Sequence, residues 1–500
     1  MPISDCVLGF NPTWLLVAVV SILVLWLGTR KPQHLPPGPP TLPLIGNILT
    51  LAGGDVRSIF QKLRKRYGDV FSLYFGNRLV IVFNGYETLK EAFVKYGDDF
   101  SDRPKGLVYE EYSKRMGVVN SGGETWKVQR KFSLSVLRDL GLGKNVMETR
   151  IHEEVMSCLD AIMSKGGAPF DIHCIIHTSV CNVISSLSFG KRFEHDDPEF
   201  RTYMDAVNEG MKLVGGTSLG HFFPYLKYCP GDPLKLGVLA TNDKVVRDFI
   251  QKQIALHRTD PLLQQADDFV NAYIQEIDRQ ETLNVENTTF FNDMLVGIII
   301  EFFVAGTETT ATTLRWALLY LCLHPEIQEK AQLELDQYFE KDHQLSMSDR
   351  RCLPFMEALI MEVQRLADVV PFSVPHAPPN TTQFRGFTIP ENTMLLPNIS
   401  SVLSDPDLWR DPETFRPERF LDDNGGVRRE EEIIPFFMGR RICLGESLAR
   451  MELFLFLASM LKTFTFRLPE GEPPPDLEGI LGITRTPQPF QIIATPRQST

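Results

Sequence analysis

Phe436-Phe437-Met438-Gly439-Arg440-Arg441-Ile442-Cys443-Leu444-Gly445 decides the fold. Glycines bracket the cysteine, an arginine stands two residues before it, and Glu446 to Leu461 contains neither Gly nor Pro while spacing Leu448, Met451, Leu455, Ala458 and Leu461 helically. Cys443 is therefore expected where a turn enters a helix. Unpaired N–H groups and the positive end of the dipole favour an anion there, and cysteine binds metal as the thiolate. Gly439 and Gly445 are expected to let backbone approach a flat ligand, and Arg441 to pair with a carboxylate on it. An isolated cysteine is most often a small buried hydrophobe; the surrounding pattern sets this one apart.

Working outward, Phe290 to His324 predicts a long helix, with Asn287-Thr288-Thr289 as a capping cluster and Pro325 as the stop. At about 1.5 Å per residue it spans roughly 50 Å and must cross the core. In its middle, Ala305-Gly306-Thr307-Glu308-Thr309-Thr310 breaks the helical rules with a glycine and several β-branched residues, and such breaks mark function. Glu362-Val363-Gln364-Arg365 places opposite charges three apart on a further helix, and Phe415-Arg416-Pro417-Glu418-Arg419-Phe420 follows about fifty residues later. Trp126 and Arg130 fall four apart, so an indole N–H and a guanidinium on one helical face can reach one carboxylate.

The chain has 500 residues, 43% apolar, with a net charge of -12 that gives no hint of a nucleic-acid binder. Its eight cysteines lack C-x-x-C pairs, which argues against a disulfide framework or a tetrahedral zinc site. Val7 to Gly28 carries no Lys or Arg, and Arg30, Lys31 and His34 follow it, which reads as an N-terminal anchor in residues 1–29 with the bulk of the chain on the cytosolic side. Pro36-Pro37-Gly38-Pro39-Pro40 then makes a stiff hinge within 30–45, leaving 46–500 as the catalytic body. Val70 to Phe75 and Leu79 to Phe83 around Gly76-Asn77 predict a hairpin and the start of a small sheet. Arg150 to Gln280 reads as mostly helical, with breaks at Gly215-Gly216, Pro224 and Cys229-Pro230-Gly231. Gly141-x-Gly143 lacks a third glycine and a preceding strand, so no dinucleotide fingerprint is present.

The motif F-x-x-G-x-R-x-C-x-G, with the proline hinge, the A-G-T-E-T segment, E-x-x-R and P-E-R-F in the same order, resembles the cytochrome P-450 haem-thiolate monooxygenases over nearly the whole chain. The surrounding wording, such as Phe100-Ser101-Asp102-Arg103-Pro104, looks most like the second family of animal microsomal members. The resemblance implies a mostly α fold with small β-sheets, a triangular helical body around a buried haem b, a long central helix and a single-pass anchor in the endoplasmic reticulum membrane. It makes Cys443 the axial thiolate and assigns Arg441, Trp126, Arg130, Arg103, His376, Ala305, Gly306, Phe436 and Gly445 to the cofactor. Glu308 and Thr309 become the acid–alcohol pair that relays protons in a widened, oxygen-binding part of the helix. Glu362, Arg365 and Arg419 become a structural network behind the cysteine loop. Phe302, Phe303, Val370, Phe372, Val374, Leu481 and Ile483 are placed around an apolar substrate, with Lys105, Tyr109 and Tyr112 at the entrance. Electrons are expected from NADPH through a separate flavoprotein reductase, with cytochrome b5 as a further partner, docking near Lys127, Lys131, Arg138 and Arg440. The implied substrates are small lipophilic molecules: fatty acids, steroids or xenobiotics. A peroxide isomerase or dehydratase, a haem-binding protein without turnover, and a membrane-tethered protein with a decayed site are the rival readings; the intact acid–alcohol pair weighs against the first.

Overall fold

The computed structural model describes residues 12–28, 32–42, 45–51, 54–106, 110–142, 145–194, 197–216, 224–340, 342–428, 430–471 and 473–497. Tyr109, Arg30, Lys31 and Gly143 lie outside these, as do the part of the expected anchor before Pro12 and the side chain of Tyr112. The longer helices are, in order, α1 (Pro12–Gly28), α2 (Val56–Tyr67), α3 (Gly123–Asp139), α4 (Asn145–Met163), α5 (His173–Phe189), α6 (Pro198–Gly216), α7 (Leu236–Thr259), α8 (Phe269–Thr282), α9 (Asn292–Leu323), α10 (Pro325–Tyr338), α11 (Pro354–Ala367) and α12 (Glu446–Thr463).

Around them are small sheets. β1 (Val70–Phe75) and β2 (Arg78–Phe83) form the expected hairpin, and a distant strand, β5 (Met394–Pro397), adds to it in parallel with Val80 opposite Met394. β3 (Thr382–Phe384) with β4 (Phe387–Ile389), β6 (Phe464–Arg467) with β9 (Ile493–Pro496), and β7 (Ile480–Leu481) with β8 (Arg485–Thr486) are two-stranded ribbons.

The core is built on α9, which is apolar on every side and correspondingly buried on nearly every side, with α5, α11 and α12 packed round it. It starts two residues later than the sequence suggests. Phe291 is its N-cap and contributes no side-chain bond, because Thr289 is engaged instead by Gln129 of α3 at 2.9 Å, so the expected capping cluster is spent on a tertiary contact. Gly306 has a packing reason: a Cβ there would stand 2.5 Å from Ile184 Cδ1, so the glycine lets α5 close on α9. The expected widening does not interrupt the helix, which runs unbroken through Thr310. The hydroxyls of Thr309 and Thr313 donate instead to the carbonyls of Ala305 and Thr309, both at 2.8 Å.

Two expectations about the N-terminal region change. The proline segment is fastened to β1: Ser72 donates its N–H to Pro37 O at 2.9 Å and its hydroxyl to Pro36 O at 2.8 Å, and Asn47 holds Pro40 O at 2.9 Å. It is part of the body rather than a free spacer. α1 is apolar, and Trp14, Leu15 and Leu16 are exposed, yet its 17 residues rise only about 26 Å against a hydrocarbon core of roughly 30 Å. Among the described residues the helix long and apolar enough to cross a bilayer is α9, and its burial marks it as a core helix.

Behind the cysteine loop, the Glu362 carboxylate is fully buried and shared. Arg365 meets it with a two-pronged fork at 2.7 and 2.9 Å, Arg419 donates at 3.0 Å and the backbone N–H of Arg416 at 2.9 Å. Arg365 also reaches Leu403 O at 2.9 Å, and Arg419 reaches Arg410 O and Thr414 O at 2.9 Å. One carboxylate thus ties α11 to the irregular stretch that leads to the cysteine loop, while Trp409 and Phe420 pack on Ala358 and Met361 of α11. Glu362→Ala leaves two guanidiniums facing a missing charge, and losing one partner of a buried pair costs about 3–5 kcal/mol. The expected outcome is a matching fall in the urea midpoint of the variant, and an unchanged midpoint would remove the network from the account.

Candidate functional site

The cysteine loop enters α12 as expected, with Gly445 as its N-cap. Cys443 N–H donates to Phe436 O at 3.0 Å, which closes the loop on itself. Gly439, at φ +74°, answers to protein rather than ligand, since a Cβ there would stand 2.0 Å from Phe93 O. Gly445, by contrast, has open space where a Cβ would be. Phe437, at φ +61°, packs its ring against Phe93 and His376, and Arg450 lies 4.9 Å over the Phe436 ring.

Cys443 is accessible although protein crowds it closely, as for a side chain facing an interior space. Ala305 is exposed too, in the middle of a helix otherwise buried, which places interior space against α9 as well. Burial pushes the Cys443 thiol above its ordinary pKa, and the N–H groups of Gly445 and Glu446 and the charge of Arg130 pull back only in part. The helix end alone therefore does not ionise this thiol; a cation bound at sulfur would.

Beside it lies a concentration of buried positive charge. Arg441 is 8% exposed, stacks 3.8 Å over the Trp126 ring and donates to the carbonyls of Ser101 at 2.7 Å, Val118 at 3.2 Å and Ser121 at 2.8 Å. Arg103 donates to Val119 O, Val374 O and Pro375 O at 2.8, 3.0 and 2.9 Å. Burial first, then Arg103, depresses Arg441 to about 8. Arg130 reaches Ile442 O at 2.5 Å. The Trp126 Nε1–H is buried without a hydrogen-bond partner among the described residues. His376 gives its Nδ1–H to Phe100 O at 2.7 Å and leaves Nε2 buried and without a partner among the described residues, and burial and Arg103 hold the ring neutral. An orphaned indole N–H, crowded guanidiniums, an accessible thiol and an open glycine fit a flat, metal-centred dianion such as haem.

Sequence reasoning missed the residue that shapes this cluster. Glu301, 7% exposed on α9, accepts from the N–H groups of Val118, Val119 and Asn120 at 2.5, 2.8 and 2.9 Å and from Asn120 Nδ2 at 2.9 Å. Its carboxylate fills the place of a side chain at Gly117, where a Cβ would lie 2.2 Å from Glu301 Oε2. The same peptides turn their carbonyls to Arg103 and Arg441, so Glu301 orients the loop that steers both. Burial raises its pKa to about 7 despite those donors. The signal was available: a lone acid in the apolar run Met294 to Val304 must find buried donors.

Of the remaining candidates, Glu308 accepts from Thr312 at 3.2 Å and Thr484 at 3.3 Å, and burial raises its pKa. Thr309 is half-buried beside it. The expected aromatic lining is not assembled. Phe303 is 1% exposed and packs on Phe189 and Tyr203 in the core, because the face of α9 it occupies meets α5 and α6. The half-buried Phe302 lies edge-on to Phe269 of α8 at 4.8 Å, and Phe372 packs on Phe60 of α2 in the sheet cluster. Val370 packs against the main core, Val374 and Leu481 are half-buried, and Ile483 is 41% exposed. Lys105 is exposed, its N–H held by Asn392 Oδ1 at 2.6 Å.

Comparison with known proteins finds the family model "Cytochrome P-450" matching residues 36–494. Cytochrome P-450 2J3 of Rattus norvegicus is 39% identical over 489 residues, covering 97% of this chain and 96% of that one. Cytochrome P-450 2J2 of Homo sapiens is 37% identical over 492 residues, covering 97% of each. Cytochrome P-450 2U1 of Mus musculus is 36% identical over 506 residues, covering 97% of this chain and 95% of that one. Glu301→Ala frees three backbone donors and slackens the loop beneath Arg441, so haem titrated into the apoprotein is expected to bind at least about tenfold more weakly, with Glu301→Gln recovering part of the loss. Equal affinities in all three would show that the loop holds without the carboxylate.

Proposed function

The chain belongs to the cytochrome P-450 family, whose members are monooxygenases, and on that premise we propose a membrane-bound haem-thiolate enzyme that hydroxylates or epoxidises small lipophilic molecules. The observation that carries this is the accessible Cys443 thiol at the entry to α12, with Ala305 exposed in the middle of α9 and Glu308 and Thr309 following it in sequence. Haem bound through Cys443 supplies dioxygen activation, with the thiolate pushing electron density toward iron. Cys443 would hold the metal as thiolate, Gly445 would leave room for the ring, and Arg441, Arg103, Arg130 and Trp126 would donate to its two carboxylates, which His376 could join only with a proton on Nε2. Those carboxylates would bring the Trp126 N–H a partner and ease the mutual repulsion of the arginines.

Thr309 presents its hydroxyl lone pairs beside Ala305 while donating its proton to the Ala305 carbonyl, and burial raises the pKa of Glu308 one residue away, which favours proton uptake there. The pair meters protons to oxygen. Ala305, Val374, Leu481 and Ile483 offer apolar surface, so the reacting part of the substrate is hydrocarbon or aromatic, and Lys105 at the exposed rim suits a carboxylate head; fatty acids, steroids and xenobiotics all meet these terms.

Electrons come singly from NADPH through a separate flavoprotein reductase, with cytochrome b5 as a second donor. Lys127 and Lys131, exposed one turn apart on α3, with Arg138 and Arg440, suit an acidic partner on the cysteine side. The apolar, exposed α1 holds the chain at the endoplasmic reticulum membrane with the body cytosolic.

Full-length protein, reconstituted with haem, reductase and NADPH, is expected to show a thiolate-type carbon monoxide band and to oxidise arachidonate-like acids, steroids or drug-like aromatics; Cys443→Ser loses the band. A normal band in that variant would overturn the ligand assignment, and NADPH consumption indifferent to every lipophilic compound would overturn the monooxygenase reading. In Thr309→Ala, NADPH is still consumed but peroxide rises at the expense of product, whereas unchanged coupling would remove Thr309 from proton handling.

A further inference from the structure

Glu308 does not stand alone on its outer side. His177 of α5 brings Nε2 to 3.7 Å from Glu308 Oε2, and the imidazole is 7% exposed. One turn earlier on the same helix face, His173 lies with its ring centre 5.4 Å from that of His177, half-buried, its Nδ1 without a partner among the described residues. At the start of α5, Asp171 and Cys174 are exposed, and so is Lys212 of α6, whose charge is felt by His173 and Glu308. Arg315, one helical heptad beyond Glu308 on α9, is buried with its Nε unpartnered among the described residues and sits within the influence of Asp171, Cys174 and both histidines. Polar groups thus run inward from the surface, from Asp171 and Lys212 through His173 and His177 to Glu308. A buried polar group without a job costs stability, and here several lie in a row.

We propose that His177 hands protons to Glu308, and that His173, ringed by Asp171, Lys212 and Arg315, is where they arrive from solvent. This rests on the reading of Glu308 and Thr309 as the proton-handling pair and supplies its source. Each transfer balances. Glu308 releases a carboxyl proton toward Thr309, its carboxylate takes the Nε2 proton of His177, and His177 Nδ1 takes a proton from water admitted past His173. That water is reprotonated from bulk solvent, and a flip of the His177 ring resets the imidazole for the next transfer. One proton moves inward and no charge is stranded, because the imidazole exchanges one neutral tautomer for the other. The 3.7 Å gap is closed by a small side-chain movement or one bridging water. Burial, His173 and Arg315 hold His177 neutral down to about 3, as such an exchange requires, and burial favours the protonated form of Glu308.

The experiment uses the full-length haem protein in two readouts. At mildly acidic pH, the infrared carboxyl band that Glu308→Gln abolishes is followed after transfer to deuterium oxide, in resting protein with no substrate or reductase. Exchange of that band is expected to slow at least tenfold in His177→Phe and in His177→Gln, since glutamine keeps a hydrogen bond to Glu308 but cannot take a proton at one end and give it at the other. His173→Ala is expected to slow exchange less while leaving the band position unchanged. In turnover, the same variants are expected to lose rate as pH rises and to gain a larger solvent isotope effect. Parental exchange and pH profile in His177→Gln would overturn the route and leave His177 a mere orienting group. If His177→Phe does not fold, His177→Gln and His173→Ala decide the matter together, and parental behaviour in both overturns it. Slowed exchange in a protein that oxidises nothing would keep the route and reject the monooxygenase reading.

Discussion

Everything in this molecule waits on where one carboxylate, that of Glu362, is held. It is fully buried and takes two bonds from Arg365, one from Arg419 and one from the Arg416 backbone. A buried ion pair of this kind adds little net stability over a well-packed apolar substitute. What it supplies is definition: two sequence-distant segments share one anion, so the irregular chain before the cysteine loop has a single way to lie. Glu301 repeats the device on the other side of the site, with peptide N–H groups as donors in place of guanidiniums. Two buried acids thus fix, from behind and from the flank, a site whose own surface is nearly all positive or apolar.

The fold was largely legible because its strongest signals are local. The apolar length of α9, the glycine-bounded cysteine loop and the hairpin at Gly76-Asn77 depend on residues that are neighbours in sequence, and each lies where the pattern puts it. What escaped was tertiary. Whether Thr289 caps a helix or answers Gln129 cannot be read from Thr289, and periodicity around Phe303 says that one face is apolar without saying whether a cofactor, a substrate or α5 will meet it. The glycines teach the same lesson. Gly439 and Gly445 look alike in the motif, but one serves a carbonyl of Phe93 and the other serves open space.

The candidate site was legible as a set of residues and much less so as a set of pairings. Trp126 and Arg130 share a helix face, but the indole ring meets Arg441 and the guanidinium reaches Ile442. Arg103 and Arg441 converge on carbonyls of one loop whose orientation is decided by an acid on α9, and a motif cannot encode that three-body arrangement. His177 was passed over for a similar reason: a histidine in an apolar helix is ordinary until the residue opposite it is known.

The fastening of the proline segment has a mechanical side. Bonds from Ser72 and Asn47 pin Pro36, Pro37 and Pro40, and Thr388 of β4 pins the carbonyl of His34 at 2.8 Å. The last residue of α1 is Gly28, and six Cα-to-Cα steps, which reach at most about 20 Å, separate it from His34. With α1 in a bilayer, so short a separation permits swivel but little drift. On the proposed membrane placement, the β1 edge of the body would stay within that distance of the headgroups, and oil-soluble molecules concentrated in that layer would have only a short way to travel to the protein.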